Sequence, residues 1–172
     1  IQEIIWNYGA GVASKKSFSP RNEKFLWYVK NKDNYQFFLD KVRDPNVKYP
    51  NQKKNGKFKV NQAGKNPSDV WYIPKVTSGK NRSSKERTNH PAQFPIELIN
   101  RIILCSTKKN QIILDPFVGS GSTAVSARIY DRMFIGIDIN IEYLEIAKHR
   151  IEKDASSYKK LSTQLSLGFS KY

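Results

Sequence analysis

The sequence is poor in several residue types, and each shortage excludes a class of protein. A single cysteine, Cys105, allows no disulfide framework within the chain and points to a reducing compartment. No apolar run is long enough for a membrane span, and the mean hydropathy is −0.63. No cluster of His, Cys, Asp and Glu has metal-ligand spacing. Acidic residues number 15 against 30 Lys and Arg, and the net charge of +15 predicts a polyanionic partner, with nucleic acid as the leading candidate.

The length and the start of the chain bear on how much of a protein it represents. A chain of 172 residues suits one domain, although a three-layer α/β sheet with an added recognition region normally needs more. The apolar segment at residues 1–6 has no turn or cap before it, so we expect the chain to be the later part of a longer protein. No basic and apolar leader precedes it, and we expect a cytoplasmic location.

The stretch at residues 111–130 predicts a short strand, a glycine-rich turn and a helix, in that order. The apolar run at residues 112–114 has the length and composition of a strand covered on both faces, and Asp115 follows it. Gly119 and Gly121 allow a close turn before a helix rich in small side chains. Backbone N–H groups at such a helix start can face a ligand. The stretch is therefore a candidate ligand site.

The acidic residues around this turn indicate the kind of ligand. A second apolar run, residues 133–137, ends at Asp138, which is spaced to reach a ribose as in nucleotide-binding folds. Residues 119–124 formally fit the dinucleotide fingerprint, so a nicotinamide cofactor is one interpretation. Asp115 argues against it, because a carboxylate beside the turn repels a pyrophosphate but attracts the sulfonium or ammonium of S-adenosylmethionine. The charges favour the methyl donor.

The first half of the chain changes character along its length. Residues 1–6 and 25–29 are β-rich and are predicted to form an antiparallel pair. Residues 41–87 contain thirteen Lys or Arg against three Asp or Glu, with amides and aromatic residues interleaved. A charge run can be a solvated face, but this composition suits a surface that neutralises phosphates and presents amides to base edges. The residues singled out for contact with DNA are Lys80, Arg82, Lys85 and Arg87.

Two helices are predicted in the second half. After His90, Pro95 and periodic isoleucines predict a helix over residues 96–105. Asn140 can cap a last helix, which has a stripe of apolar residues. The basic residues near the end of that helix complement its dipole, and we assign them no other role; they are Lys148, His149 and Arg150.

Three segments resemble one enzyme family. The turn at residues 115–122, Asp-Pro-Phe-Val-Gly-Ser-Gly-Ser, resembles the Asp-Pro-Phe-x-Gly-Ser-Gly-Thr cofactor motif of the amino-methyltransferases that modify adenine N6 or cytosine N4 in DNA. Residues 90–95 resemble the family's His-Pro-Thr-Gln-Lys-Pro beside the methionine end of the cofactor, with Ala92 and Phe94 at the changed positions. Residues 18–23 more loosely resemble the segment that borders the target-base pocket, without the family His.

The resemblance implies a fold and a division of the chain. The fold is an α/β, Rossmann-like, doubly wound sheet of the S-adenosylmethionine-dependent methyltransferase type, with an inserted basic, irregular target-recognition region. The divisions are the end of a catalytic subdomain (1–30), the recognition region (31–88), a cofactor-binding subdomain (89–153) and a tail (154–172). The implied cofactor contacts are His90, Gln93, Asp115, Pro116, Phe117, Gly119, Ser120, Gly121, Ser122 and Asp138.

The resemblance also implies an activity, with S-adenosylmethionine as cofactor and double-stranded DNA as partner. This activity is site-specific DNA methylation in a bacterial restriction-modification system, at adenine N6 or alternatively at cytosine N4. The family reacts through an Asp-Pro-Pro-Tyr or Ser-Pro-Pro-Tyr loop, and this sequence has no Pro-Pro pair, so no catalytic residue is assigned. We expect the chain alone to be inactive, with an amino-terminal catalytic part supplied either within one longer chain or by a separate polypeptide. The alternatives are a non-catalytic DNA-binding fragment and a nicotinamide-dependent oxidoreductase.

Overall fold

The structure is a computed structural model that describes residues 1–77 and 84–153. Within these residues it has mixed α/β architecture, so the predicted α/β class is confirmed. No helix of the described ranges is long and apolar enough to cross a membrane. In chain order the elements are β1 (Gln2–Asn7), β2 (Asn22–Trp27), a 3-10 turn (Leu39–Lys41), β3 (Lys53–Lys54), β4 (Lys57–Phe58), β5 (Val70–Tyr72), α1 (Ile96–Ser106), β6 (Ile112–Asp115), α2 (Ser122–Ile129), β7 (Met133–Gly136) and α3, described over residues 141–153.

The first sheet has the strand order β2-β1-β5. The predicted antiparallel pair is confirmed, although β2 starts at Asn22, three residues before the predicted segment. β5 adds in parallel to the other edge of β1. Trp6 is the centre of this unit, because it is 1% exposed and its indole N–H donates to the Ile73 carbonyl at 2.6 Å. Trp71 and Leu98 complete the buried cluster around it.

The second unit is the parallel pair of β6 and β7, joined by α2. Because the strands are parallel, Asp115 and Gly136 end them at the same edge. Ile99 and Ile103 of α1 pack with Ala127 of α2 on one face of the pair, and α3 lies on that same side. The strands predicted at residues 112–114 and 133–137 and the helix predicted over residues 96–105 form within one residue of their expected limits.

The opposite face of this strand pair is solvent-exposed, with no helix of the described ranges packed on it. Ile112, Leu114, Met133 and Ile135 lie on it and are 52–61% exposed. The prediction that the strand at residues 112–114 is covered on both faces is therefore wrong. An apolar run indicates what a strand is able to bury, and not whether the covering elements lie in the same chain. In the described part of the chain, the outer edges of β6 and β2 also have no strand partner.

Helix α1 connects the two units. Its Leu98 belongs to the cluster around Trp6, whereas its Ile99 and Ile103 pack against the unit of β6 and β7. A cavity of about 700 Å³ lies between β1, β2 and the end of α1, and Cys105 lines it. Burial raises the pKa of the Cys105 thiol, which agrees with a packing role rather than a reactive one.

Candidate cofactor site and basic surface

The turn between β6 and α2 has a shape that depends on its two glycines. Gly119 and Gly121 have φ angles of +48° and +80°, in the left-handed region that side chains disfavour. A Cβ atom on Gly119 would lie 2.8 Å from Nε2 of His90. A Cβ atom on Gly121 would lie 2.7 Å from that of Ala147 in α3. The turn thus fits closely against His90 on one side and α3 on the other.

Two carboxylates stand at the edge where β6 and β7 end. Asp115 accepts a hydrogen bond from the Phe117 N–H at 3.0 Å. Asp138 accepts bonds from the backbone N–H groups of Gly119 and Asn140, both at 2.9 Å. These backbone bonds lower the pKa of Asp138, which is ionised at neutral pH. An ionised carboxylate has about four lone-pair positions, so Asp138 can still accept from a ligand hydroxyl.

The start of α2 presents its backbone rather than its side chains to the site. Gly121 is the N-cap residue, and no side chain of the described residues caps this helix. Ser120 and Ser122 are 4% and 5% exposed, so their side chains point into the protein. The Ser122 hydroxyl donates to the Phe94 carbonyl at 2.7 Å. The N–H groups of the first helical turn are the groups left to meet a ligand there.

His90 lies against the turn in its neutral form. Its Nδ1 accepts a bond from the Ala92 N–H at 3.2 Å, which leaves the proton on Nε2. Burial lowers the pKa of His90, while the nearby Asp138 acts in the opposite direction. The ring also contacts Tyr143 edge to face, with 4.3 Å between the ring centres. The structure therefore brings His90, the glycine turn and Asp138 together, as the sequence predicted.

Gln93 is buried, and its side-chain amide is used inside the protein. Its Oε1 accepts bonds from the N–H and the hydroxyl of Thr88, both at 2.9 Å. Its Nε2 donates to the Glu86 carbonyl at 2.7 Å. Gln93 thus holds the loop that carries His90, and its direct contact with a cofactor stays a prediction.

The remaining predicted residues lie at the open side of the turn. Pro116 is exposed and Phe117 is 87% exposed. The 700 Å³ cavity and another of about 350 Å³ beneath α3 are lined by other residues, without Asp115, His90 or Asp138. The turn is therefore one wall of a site that is open on its other side. No group of three or more His, Cys, Asp and Glu in the described ranges could hold a metal ion.

Arg150 is the residue that the sequence interpretation missed. It was assigned only to the helix dipole, yet it is 2% exposed. Its Nη1 donates to the Ser120 carbonyl at 2.7 Å and to the hydroxyls of Ser120 and Ser122 at 3.2 Å. The available signal was its spacing, because Arg150 is three residues after Ala147 and so shares the buried side of α3.

The predicted DNA contacts fall in two classes. Lys80 and Arg82 lie outside the described residues. Lys85 and Arg87 are exposed and alternate with Glu86, whose side chain points inward. Residues 84–87 form a hydrogen-bonded turn, in which the Arg87 N–H donates to the Ser84 carbonyl at 3.1 Å, and the two exposed basic side chains flank the inward Glu86.

A second basic segment of the predicted recognition region, residues 44–65, is here called the basic arm. It contains six lysines and one acidic residue, Asp44, which pairs with Lys65 at the base of the arm through two backbone bonds of 2.9 and 3.0 Å. At the tip, β3 and β4 form a hairpin with Asn55 and Gly56 at φ angles of +51° and +75°. This is the conformation of the tight turns that two-residue hairpins favour. The tip lysines, Lys53, Lys54 and Lys57, are exposed.

Comparison with known proteins gives matches over most of the chain. The family model described as DNA methylase matches residues 1–149. The chain is 64% identical over 157 residues to the type II methyltransferase M.ScaI of Streptomyces caespitosus, covering 91% of this chain and 52% of that protein. It is 35% identical to the DNA adenine methyltransferase YhdJ of Escherichia coli strain K12, covering 93% of this chain and 57% of the relative. The chain thus spans about half the length of these relatives.

Solved structures agree with these matches. The crystal structure of the M1.HpyAVI–SAM complex has a TM-score of 0.57 and 28% identity, over 87% of this chain and 61% of the other. The cytosine-N4-specific PvuII DNA methyltransferase has a TM-score of 0.65 over 92% of this chain and 55% of the other. Its identity of 18% supports likeness of fold alone.

Proposed function

Since the chain belongs to the DNA methylase family, to which residues 1–149 match, we propose that it is the cofactor-binding and DNA-recognition part of an S-adenosylmethionine-dependent DNA methyltransferase. The observation that carries this proposal is the turn at residues 115–122. There, two glycines, an uncapped helix start and two carboxylates meet where parallel strands end, which is where open α/β sheets bind ligands. The family membership predicted from the motifs is confirmed, whereas the nicotinamide alternative has no support from it.

The residues of the turn fit the methyl donor. Gly119 and Gly121 keep the backbone free of side chains where a ligand would approach. Asp138 has lone pairs left for the ribose hydroxyls, and Asp115 supplies negative charge toward the cationic methionine end. Neutral His90 adds a wall without adding positive charge. When bound, the donor supplies an electrophilic methyl group on its sulfonium, and these residues bind and orient it.

The proposed acceptor is an exocyclic amino nitrogen of a DNA base, either adenine N6 or cytosine N4. The likeness to the DNA adenine methyltransferase YhdJ supports adenine, and cytosine N4 is the alternative that the motif resemblance implies. The likeness to M.ScaI favours a type II restriction-modification role, in the bacterial cytoplasm where the DNA lies. Mass spectrometry of nucleosides from methylated DNA distinguishes the bases, since N6-methyldeoxyadenosine and N4-methyldeoxycytidine differ in mass.

Groups that polarise the amino nitrogen must come from elsewhere, because no Pro-Pro loop occurs in the sequence. We propose that the exposed face of the strand pair and the outer edge of β6 receive the part that carries this loop. A non-catalytic DNA-binding fragment is the second candidate, favoured by the same missing loop. Titration with S-adenosylmethionine separates the two, because a fragment that keeps the turn only as scaffold does not bind the donor.

Asp138→Ala is expected to weaken S-adenosylmethionine binding by roughly 5- to 150-fold, the effect of losing a hydrogen bond to a charged group. Isothermal titration calorimetry measures it. Glu142→Ala is the matched control, because Glu142 is an exposed carboxylate at the start of α3, four residues away. Equal affinity of the Asp138→Ala and unmodified chains would remove Asp138 from the site. Circular dichroism checks that the turn and α3 remain folded.

Charge removal on the basic arm is expected to flatten the salt dependence of duplex DNA binding. Each phosphate contact adds roughly 0.9 to the slope of log affinity against log salt. Lys53→Gln, Lys54→Gln and Lys57→Gln together should therefore reduce the slope by up to roughly 2.7. Lys85→Gln with Arg87→Gln should reduce it by up to roughly 1.8. Fluorescence anisotropy at several salt concentrations gives the slopes.

The control for this measurement is the pair Lys109→Gln and Lys148→Gln. Both lysines are exposed, and both lie outside residues 31–88, the predicted recognition region. If the arm variant and the control lower the slope equally per charge removed, the chain binds DNA through its net charge and the arm has no specific role.

A further inference from the structure

Two charged side chains are buried against each other behind the cofactor turn. Arg150 and Glu86 have side chains that are 3% and 11% exposed, and Nη2 of the arginine lies 3.8 Å from Oε1 of the carboxylate. The same Oε1 accepts a bond of 2.7 Å from the Ile96 N–H at the start of α1. Taking two charges out of water is costly, and a buried pair is weak support for stability. We therefore look to the location of the pair, rather than to stability, for its role.

The pair joins the cofactor turn to the basic segment. On one side, Arg150 holds the Ser120 carbonyl and two serine hydroxyls of the turn. On the other side, Glu86 lies between Lys85 and Arg87, whose side chains are exposed. The Glu86 carbonyl also accepts the Gln93 side chain, which belongs to the loop of His90. An outward movement of the backbone at residue 86 would separate the Glu86 carboxylate from the buried guanidinium of Arg150.

We propose that Glu86 and Arg150 are positioning residues that couple DNA contact at Lys85 and Arg87 to the conformation of the cofactor turn. This inference rests on the proposed function. A DNA backbone that holds Lys85 and Arg87 holds Glu86 inward, and Glu86 holds Arg150 on the Ser120 carbonyl. The turn then keeps the shape in which its N–H groups face the methyl donor. Coupling of this kind is reciprocal, so the donor strengthens DNA binding by the same factor.

The test compares the dissociation constant of S-adenosylmethionine for the 172-residue chain with and without a saturating mixed-sequence DNA duplex, by calorimetry. DNA should lower this constant about fivefold or more, the smaller end of typical coupling. Glu86→Gln keeps an acceptor for Ile96 but removes the charge, and it should bring the ratio to about one. Arg150→Met should do the same, and the double variant should add nothing. Arg150→Lys, which keeps the charge, should recover part of the ratio.

Two controls separate coupling from general destabilisation. Glu97→Gln removes an exposed carboxylate from the first turn of α1, and Lys148→Gln removes an exposed cation from α3. Both should keep the ratio of the unmodified chain. Should Arg150→Met fail to fold, Glu86→Gln and Arg150→Lys decide the question, since the ratio compares each variant with itself.

The outcomes separate this inference from the function on which it rests. If the unmodified chain binds both ligands and DNA leaves donor affinity unchanged, the coupling is wrong and the proposed function stands. A folded Glu86→Gln chain that keeps the full ratio also overturns the coupling. A chain that binds neither ligand overturns both the coupling and the proposed function.

Discussion

Purified alone, the 172-residue chain is expected to transfer no methyl group to DNA above background. Adding the part of the Streptomyces caespitosus relative that this chain does not match should restore transfer, since the two proteins are 64% identical where they match. The gain should be at least about 10²-fold, the smallest loss usual when a group that stabilises the transition state is removed. Transfer of tritium from labelled S-adenosylmethionine to mixed-sequence DNA measures it.

The physical reason is the exposed side of the strand pair formed by β6 and β7. Leu114 and Ile135 are exposed to 61% and 52% on strands that a doubly wound sheet would cover. The outer edge of β6 also presents unpaired backbone groups within the described part of the chain. The proposed partner supplies a strand and helices for these surfaces, together with the loop that acts on the amino group.

A surface variant tests whether this face is the docking surface. Leu114→Asp should leave the isolated chain as stable as before, because the side chain is already exposed, but it should prevent complementation. Val12→Asp is the matched control, since Val12 is 90% exposed in the loop between β1 and β2. Robust turnover by the chain alone would refute the need for a partner. Normal complementation by Leu114→Asp would move the partner to another surface.

Gly121→Ala is expected to destabilise the protein by about 2–6 kcal/mol. A residue other than glycine in the left-handed region costs about 1–3 kcal/mol, and overpacking adds about 1–3 kcal/mol. Overpacking arises because the new methyl group would lie 2.7 Å from Cβ and 2.8 Å from Cα of Ala147. The second of these atoms belongs to the backbone of α3, which cannot swing away as a flexible side chain would. Urea unfolding followed by circular dichroism gives the difference.

Gly56→Ala separates the two contributions. Gly56 has a φ of +75°, close to the +80° of Gly121, but nothing lies within 4 Å of the position of its Cβ. Its substitution should therefore cost only the backbone contribution, about 1–3 kcal/mol. If both variants lose the same stability, the packing of Ala147 on the turn does not contribute.

Local sequence patterns predicted the strands and the turn that build the site. They did not predict the features that depend on packing between residues far apart in the sequence. The run before Asp115, the two glycines and the acid at residue 138 are sequence-adjacent signals, and they led to a strand, a turn and a second strand of the expected kind. Pairing of β5 with β1 joins residues more than sixty positions apart, and no local pattern records it. The burial of Arg150 depends on Ser120, thirty residues away.

The same distinction between local pattern and long-range packing applies to the predicted cofactor contacts. The sequence named Ser120 and Ser122 as residues of the turn, but only the packing reveals that their hydroxyls point inward. Gln93 belongs to a segment that resembles a cofactor motif, yet its amide bonds to Thr88 and Glu86. The motifs therefore predicted which residues lie together at the site, but not which of their atoms face the solvent.

The position of α1 has a consequence for the order of events in assembly. Because this helix packs on the cluster around Trp6 with Leu98 and on the other unit with Ile99 and Ile103, it fixes the separation of the two half-sheets before any partner arrives. An incoming segment then loses its own conformational entropy on docking, while the host loses little. A preorganised surface of this kind would strengthen binding of the proposed partner without adding a contact.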